Sequence, residues 1–301
     1  MKETSHTTVD AAIPHLDGVE HRYIDLPGLR MHVAEAGSGE PLLLLHGFPE
    51  HWWEWRDVMP ALASDFRVIC PDLRGAGWTD APPTGYDSDQ LFADLLALID
   101  ALQLTRVRII AHDWSALLAF RLGLERPDLV DGILCLATPH PWVRFSPKYI
   151  PLLRFLWFQP VVAAPGLGPR LLGRGQQRLA RYLLRGFQAS PQAFTERDID
   201  IFLTPLRDPA HARAGSALYR KFILPEAARI MSGHYRDRHL TARTRLVYGL
   251  ADRGLRREMA GGYEGHADDL AVVFEEGAAH FVADDSPEAV VRHAREMFAP
   301  K

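Results

Sequence analysis

The apolar residues of this chain fall into short runs of two kinds. His21-Arg-Tyr-Ile-Asp-Leu26 and Leu29-Arg-Met-His-Val-Ala-Glu35 alternate apolar and polar positions around Pro27-Gly28. A period of two on either side of a turn dipeptide predicts an antiparallel hairpin with one wet face. Pro41-Leu-Leu-Leu-Leu45 is continuously apolar, the pattern of a central strand covered on both faces. Phe66 to Asp72, Val107 to Ala111, Val130 to Ala137, Thr244 to Gly249 and Leu270 to Phe274 read as further strands. Between them, Leu91, Leu95, Leu96, Ile99 and Leu102 recur at helical spacing, and Ala116 to Glu125 is helix-forming. Trp52, Trp53 and Trp55 sit on a further helix. A last helix, Pro287 to Phe298, opens with Ser286 as its N-cap and proline at its first position. Strands and helices alternating at this pace predict an α/β fold with a mostly parallel central sheet wound by helices.

From Trp142 to Leu240 the rhythm changes to helical periodicity, prolines and loops, with no strand pattern. The expected organisation is an N-terminal arm (1–18), a sheet domain in two pieces (19–141 and 241–301), and a helical insertion (142–240). The insertion carries Arg170, Arg174, Arg178, Arg181 and Arg185 at spacings of three or four, with few acids nearby in sequence. We read this as a solvated helix face whose stems cover apolar neighbours, rather than as a surface for an anionic partner.

Composition narrows the function classes. The chain has 301 residues and a net charge of −4, which favours neither nucleic acid nor an anionic membrane as partner. No apolar run reaches transmembrane length, and the polar start Met1-Lys-Glu-Thr-Ser-His6 lacks the apolar stretch of a signal peptide, so a cytoplasmic protein is expected. Cys70 and Cys135 both fall within predicted strands and read as buried thiols, not a disulfide. The histidines show no metal-ligand spacing, and no cofactor is expected.

The chemistry centres on Val107-Arg-Ile-Ile-Ala-His-Asp113-Trp-Ser-Ala116, where an apolar strand stops and a helix starts almost at once. A turn this tight has the form of a nucleophile elbow, whose strained apex needs small residues close on either side. Ala111, Ser115 and Ala116 satisfy that about Asp113; about Ser115 the flanks would be Asp113 and Leu117, which are too large. The nucleophile is therefore Asp113. An elbow nucleophile works with a base and a group that orients it, both at the ends of later strands. Leu250-Ala-Asp252 follows one such strand and Gly277-Ala-Ala-His280 the next, giving the chain order nucleophile, acid, base. The plainer alternatives are that Asp113 and Asp252 cap helices and that His280 is a loop histidine.

A carboxylate is ionised at neutral pH, since an ordinary aspartate titrates near pH 4. It suits displacement at saturated carbon, giving an alkyl ester that His280, held by Asp252, would hydrolyse with an activated water. The amides of Phe48 and Trp114 are placed to stabilise the resulting oxyanion.

His46-Gly-Phe-Pro-Glu50, Asp72-Leu-Arg-Gly-Ala-Gly-Trp-Thr-Asp-Ala-Pro82 and His112-Asp-Trp114, with His280, resemble the signature segments of the epoxide hydrolase and haloalkane dehalogenase branch of the α/β-hydrolases. The resemblance runs over roughly residues 20 to 300, closest to soluble epoxide hydrolases, with the insertion in place of the family's cap. It implies an α/β-hydrolase fold, a small-molecule epoxide and water as partners, and a monomer or homodimer. Epoxide hydrolases use two cap tyrosines as proton donors. Ala217-Leu-Tyr219-Arg220 resembles the segment bearing one, with Tyr235 in reserve. The other belongs near Leu156-Trp157-Phe158-Gln159, which has no phenol, leaving Tyr219 alone or aided by Tyr149 or a histidine. Trp157 with Trp114 would instead suit a leaving halide, while Trp157 and Phe158 also fit a pocket wall, with Trp142, Phe155 and Phe202 completing an apolar roof. Against dehalogenation, Phe48 stands where many dehalogenases place a halide-binding asparagine. A third possibility is a ligand-binding protein without turnover, suggested by Ser115, where the family prefers glycine.

Overall fold

The computed structural model describes residues 11–144 and 146–298. Its frame is an eight-stranded sheet: β1 (Glu20–Leu26), β2 (Leu29–Ala36), β3 (Pro41–Leu45), β4 (Arg67–Pro71), β5 (Val107–His112), β6 (Val130–Leu136), β7 (Thr244–Gly249) and β8 (Leu270–Glu275). The spatial order is β1-β2-β4-β3-β5-β6-β7-β8, with β1 and β2 antiparallel to their neighbours and the rest parallel. This is the mostly parallel sheet that the apolar runs predict. The wet face of the hairpin belongs mainly to edge strand β1, whereas β2, wedged against β4, is largely buried. At the other edge, β8 is only partly covered, which the apolar run at 270–274 does not reveal.

The chain runs outward from β3 in one direction to β4 and in the other to β5. The carboxyl ends of β3 and β5 therefore flank the point where the winding reverses, the usual crevice for a ligand in such sheets. Helices cover both faces. A Cβ on Gly123, in the helix α3 (Ser115–Glu125), would meet Ile133 of β6, while one on Gly132 would meet Phe298 of the last helix (Pro287–Phe298). Adjacent strand residues face opposite ways, so these two helices lie on opposite sides of β6. Cys70 and Cys135 are buried free thiols in β4 and β6.

Residues 1–10 of the expected arm lie outside the described residues. The remainder is anchored: the Ala11 carbonyl accepts a 2.7 Å bond from Trp78 Nε1, and Ile13 and Leu16 pack on the core. Between β6 and β7 the described chain is helical and irregular, including Phe158–Ala163, Leu167–Gly173, Arg178–Gly186, Glu196–Leu203, Pro209–Leu218 and Leu224–Met231. The arginine face at 178–185 meets acids brought up by the helix after it. Arg181 pairs with Glu196 and Asp200, and Arg185 with Glu196. Among the described residues, no helix is long and apolar enough to cross a membrane.

Candidate active site

The elbow forms as its small flanks require. Asp113 sits at φ +53°, in the left-handed region that aspartate tolerates better than most residues, and Ala111, Ser115 and Ala116 are fully buried around it. The helix behind it is capped by Trp114 without any side-chain bond, so Asp113 is not a helix cap. Ser115 does not crowd the turn: its hydroxyl donates to the carbonyls of Leu45 (2.9 Å) and His112 (2.8 Å), fastening the elbow to the end of β3. The Phe48 amide donates to Asp113 Oδ2 at 3.2 Å.

His280 and Asp252 reach the same point from the ends of β8 and β7. His280 Nδ1 lies 3.2 Å from Asp252 Oδ2, and its Nε2 lies 3.8 Å from Asp113 Oδ1. Because a carboxylate only accepts, Nδ1 carries hydrogen, and Nε2 is the nitrogen directed at Asp113. Asp252 Oδ1 is held by the amides of Gly254 (2.7 Å) and Leu255 (3.1 Å). Burial raises the Asp252 pKa, but the hydrogen bond and charge of His280 and those two amides bring it below the ordinary value. For His280, burial lowers the pKa, yet the Asp252 hydrogen bond and charge, then Asp113, lift it above the usual histidine value. The base loop comes close to β7 only because Gly249 has no side chain: a Cβ there would stand 2.2 Å from the Ala279 carbonyl oxygen. His280 is also clamped through its backbone, its amide donating to Phe187 O (3.1 Å) and its carbonyl accepting from His112 Nε2 (2.9 Å).

The helical segment adds an aromatic cover. Pro209–Leu218 widens into a π-turn, Tyr219–Ile223, a local form often found at functional sites. It brings Tyr219, 5% exposed, edge-on to Phe48 at 5.0 Å between ring centres and to Phe158 at 6.2 Å. Burial and the nearby Asp113 charge raise the Tyr219 pKa well above that of a free phenol, so it keeps its proton. Phe222 packs on Trp114, whose indole N–H is buried with no partner among the described residues.

Several expected pocket residues turn elsewhere. Trp157 is 47% exposed against Tyr182, because the short helix begins one residue later and points Phe158 inward instead. Tyr235 gives its hydroxyl to Glu226, and Tyr149 bonds the Glu258 carbonyl at 3.0 Å; both rings pack in a separate cluster with Val143, Leu152 and Ile230. Trp142 stacks on His266 rather than roofing the site. Phe187 and Phe222 lie outside the sequence expectation: Phe187 caps the helix Arg178–Gly186, and Phe222 lies within the π-turn, where the 3.6-residue period is broken.

The Asp72 segment is structural. Asp72 accepts from the amides of Trp52 (2.8 Å) and Trp78 (2.9 Å) and pairs with His32 (2.7 Å). Burial opposes its charge, but the charge and hydrogen bond of His32, then the charges of His51 and His46, hold its pKa down to about 2. His46 gives Nδ1–H to the Gly47 carbonyl (2.8 Å) and accepts the Leu73 amide (2.9 Å), joining the ends of β3 and β4.

An eight-stranded, mostly parallel sheet with Asp113, Asp252 and His280 gathered at its strand ends defines a fold class, and comparison agrees on the fold. Residues 40–287 match the alpha/beta hydrolase fold family, and the chain belongs to that family of hydrolases. It is 31% identical over 293 residues to a soluble epoxide hydrolase of Corynebacterium sp. (strain C12), spanning 94% of this chain and 98% of that protein. It is 32% identical over 308 residues to epoxide hydrolase 2 of Siraitia grosvenorii, spanning 90% and 96%. Among solved structures, epoxide hydrolase CorEH superposes with a TM-score of 0.80 at 29% identity, covering 93% of this chain and 98% of that one. Epoxide hydrolase VrEH1 from Vigna radiata gives 0.79 at 27%, covering 94% and 98%.

Proposed function

We propose that the protein is an epoxide hydrolase acting on apolar epoxides through an ester of Asp113. The observation that carries this reading is a carboxylate at the elbow apex with the buried, protonated phenol of Tyr219 beside it. Tyr219 donates a hydrogen bond to the epoxide oxygen while Asp113 Oδ1 attacks a ring carbon. The C–O bond breaks, and the developing alkoxide takes the phenolic proton. Asp113 Oδ2 becomes the ester carbonyl oxygen, already facing the Phe48 amide. A water then gives its proton to His280 Nε2 and attacks the ester carbon. The oxyanion on Oδ2 is stabilised by the Phe48 amide, with that of Trp114 as second donor. Collapse breaks the bond between the ester carbon and the alkyl oxygen, which leaves as a vicinal diol with the proton from His280; the water's second proton, left on the new Asp113 carboxyl, passes to the Tyr219 phenolate, and both groups are restored. The cap role falls to residues 142–240, which supply Tyr219 and Phe158.

Dehalogenation uses the same nucleophile, and the free indole N–H of Trp114 favours it. The indole expected as its partner, Trp157, faces solvent, so we place the halide reaction second. A non-catalytic role loses its support with the well-bonded Ser115. A paired assay decides: diol formation from styrene oxide against halide release from 1-bromobutane. Diol without halide, abolished in Asp113→Ala, is the expected result, with the ester trapped on Asp113 in His280→Gln. Halide without diol, or silence in both arms with no adduct, would overturn the proposal.

A further inference from the structure

Behind the triad lies a cluster of ionisable side chains that the reaction does not touch. Glu54 and His112 are fully buried and Glu50 is 2% exposed. Glu54 Oε2 accepts the Gly47 amide at 2.8 Å, and its Oε1 lies 3.0 Å from His112 Nδ1, with Glu50 Oε2 at 3.2 Å from the same nitrogen. These last two are ion-pair contacts more than aligned hydrogen bonds. His112 Nε2 donates to the His280 carbonyl, and a carbonyl only accepts, so Nε2 carries hydrogen. Nδ1 faces two carboxylates, an attractive arrangement only if it carries hydrogen too. His112 is therefore an imidazolium: burial disfavours its charge, but Glu54 and Glu50 raise its pKa well above the ordinary value. Burial and the Glu54 charge raise Glu50 to about 7. Beyond Glu50 stands Asp284, paired with Arg56 at 2.5 Å; His46 and His280 face His112 from the other sides.

A buried carboxylate costs several kcal/mol unless it is satisfied. Both groups that satisfy Glu54 belong to the site. Gly47 precedes Phe48, whose amide faces Asp113, and packs so tightly on the cluster that a Cβ would stand 2.6 Å from His112 Nδ1. His112 precedes the nucleophile and holds the base from behind. We infer that Glu54 is a positioning residue for ester hydrolysis, fixing the oxyanion loop with one oxygen and, through His112, the His280 loop with the other. The inference rests on the epoxide hydrolase reading. Attack on the epoxide needs Asp113 and Tyr219, neither of which touches Glu54. Hydrolysis needs the Phe48 amide and His280, both of which Glu54 reaches through one intermediary.

The test is rapid mixing of styrene oxide with the full-length wild type, Glu54→Gln and Glu54→Ala, following ester formation on Asp113 and its decay by quenched-flow mass spectrometry. Glu54→Gln keeps an acceptor for the Gly47 amide but removes the charge facing His112. We expect ester formation within about twofold of wild type and ester decay slowed about tenfold, since loosening an aligned group by a fraction of an ångström costs one to two decades. Glu54→Ala should slow decay further. Where decay limits turnover, kcat and KM fall together and kcat/KM holds. Equal slowing of both steps marks a merely structural residue, and unchanged decay marks a spectator; either overturns the inference. Should Glu54→Ala fail to fold, the near-isosteric glutamine decides alone. A wild type inert to epoxides is a different failure, that of the functional reading, and takes this inference with it.

Discussion

Replacing Tyr219 by phenylalanine removes one oxygen and leaves the ring on Phe48 and Phe158. If that oxygen is the proton donor, the loss is concentrated in ring opening. A hydrogen bond to an atom gaining negative charge is worth roughly 1.5–3 kcal/mol. At about 1.4 kcal/mol per decade, the alkylation rate should fall roughly ten- to 150-fold. The upper end is favoured because the other candidate phenols are committed elsewhere, Tyr235 to Glu226 and Tyr149 to the Glu258 carbonyl. Stability should move the other way or not at all. Tyr219 is 5% exposed, and its hydroxyl has no hydrogen-bond partner among the described residues. Its removal therefore breaks no hydrogen bond to those residues and leaves the ring packing in place. The assay pairs single-turnover ester formation from styrene oxide with thermal melting. A loss below about threefold would refute the assignment. A drop in Tm matching the loss of activity would show that the variant reports folding instead of chemistry.

Four further outcomes follow from the same geometry. His280 works as a base only when neutral, so ester decay should accelerate as pH rises through its raised pKa, and the step should shift in Asp252→Asn. In stability, the raised pKa of His280 contributes fully below its unfolded value near 6.5 and is lost as pH climbs through the folded one; Asp252, depressed, contributes above about 3.8 and is lost as pH falls through its folded value. Melting curves across pH for wild type and Asp252→Asn check both signs. Gly249→Ala should force the base loop off β7, destabilising by about 1–3 kcal/mol and lowering kcat; an unchanged denaturation midpoint would contradict the close approach. Trp157→Ala should leave epoxide turnover within about twofold, because the indole faces solvent; a large loss would return it to the pocket.

The strands were legible because each is short, apolar and bounded by turn residues, and the elbow because side-chain size alone selects Asp113 over Ser115. The placement of Asp252 and His280 followed from the ends of the strands before them. The cover was harder to read. Trp157 and Phe158 are neighbours, and about 100° of helical rotation separates a pocket wall from a solvent-facing ring. The helix start that sets this rotation, at Phe158, carries no side-chain cap to announce it. Tyr149 and Tyr235 look as available as Tyr219 until their hydroxyl partners are known, and those partners lie far along the chain. Glu54 gave no signal at all: its meaning depends on His112 arriving from another strand.

The amide of the base His280 is bonded to Phe187, at the end of a helix in the 142–240 segment, and not to its own sheet domain. On the proposed mechanism, the segment that covers the site thus also helps to align the base. Any movement that carried Phe187 away from the sheet would break that bond, so the same displacement that let bulk water in would also release the base that activates water.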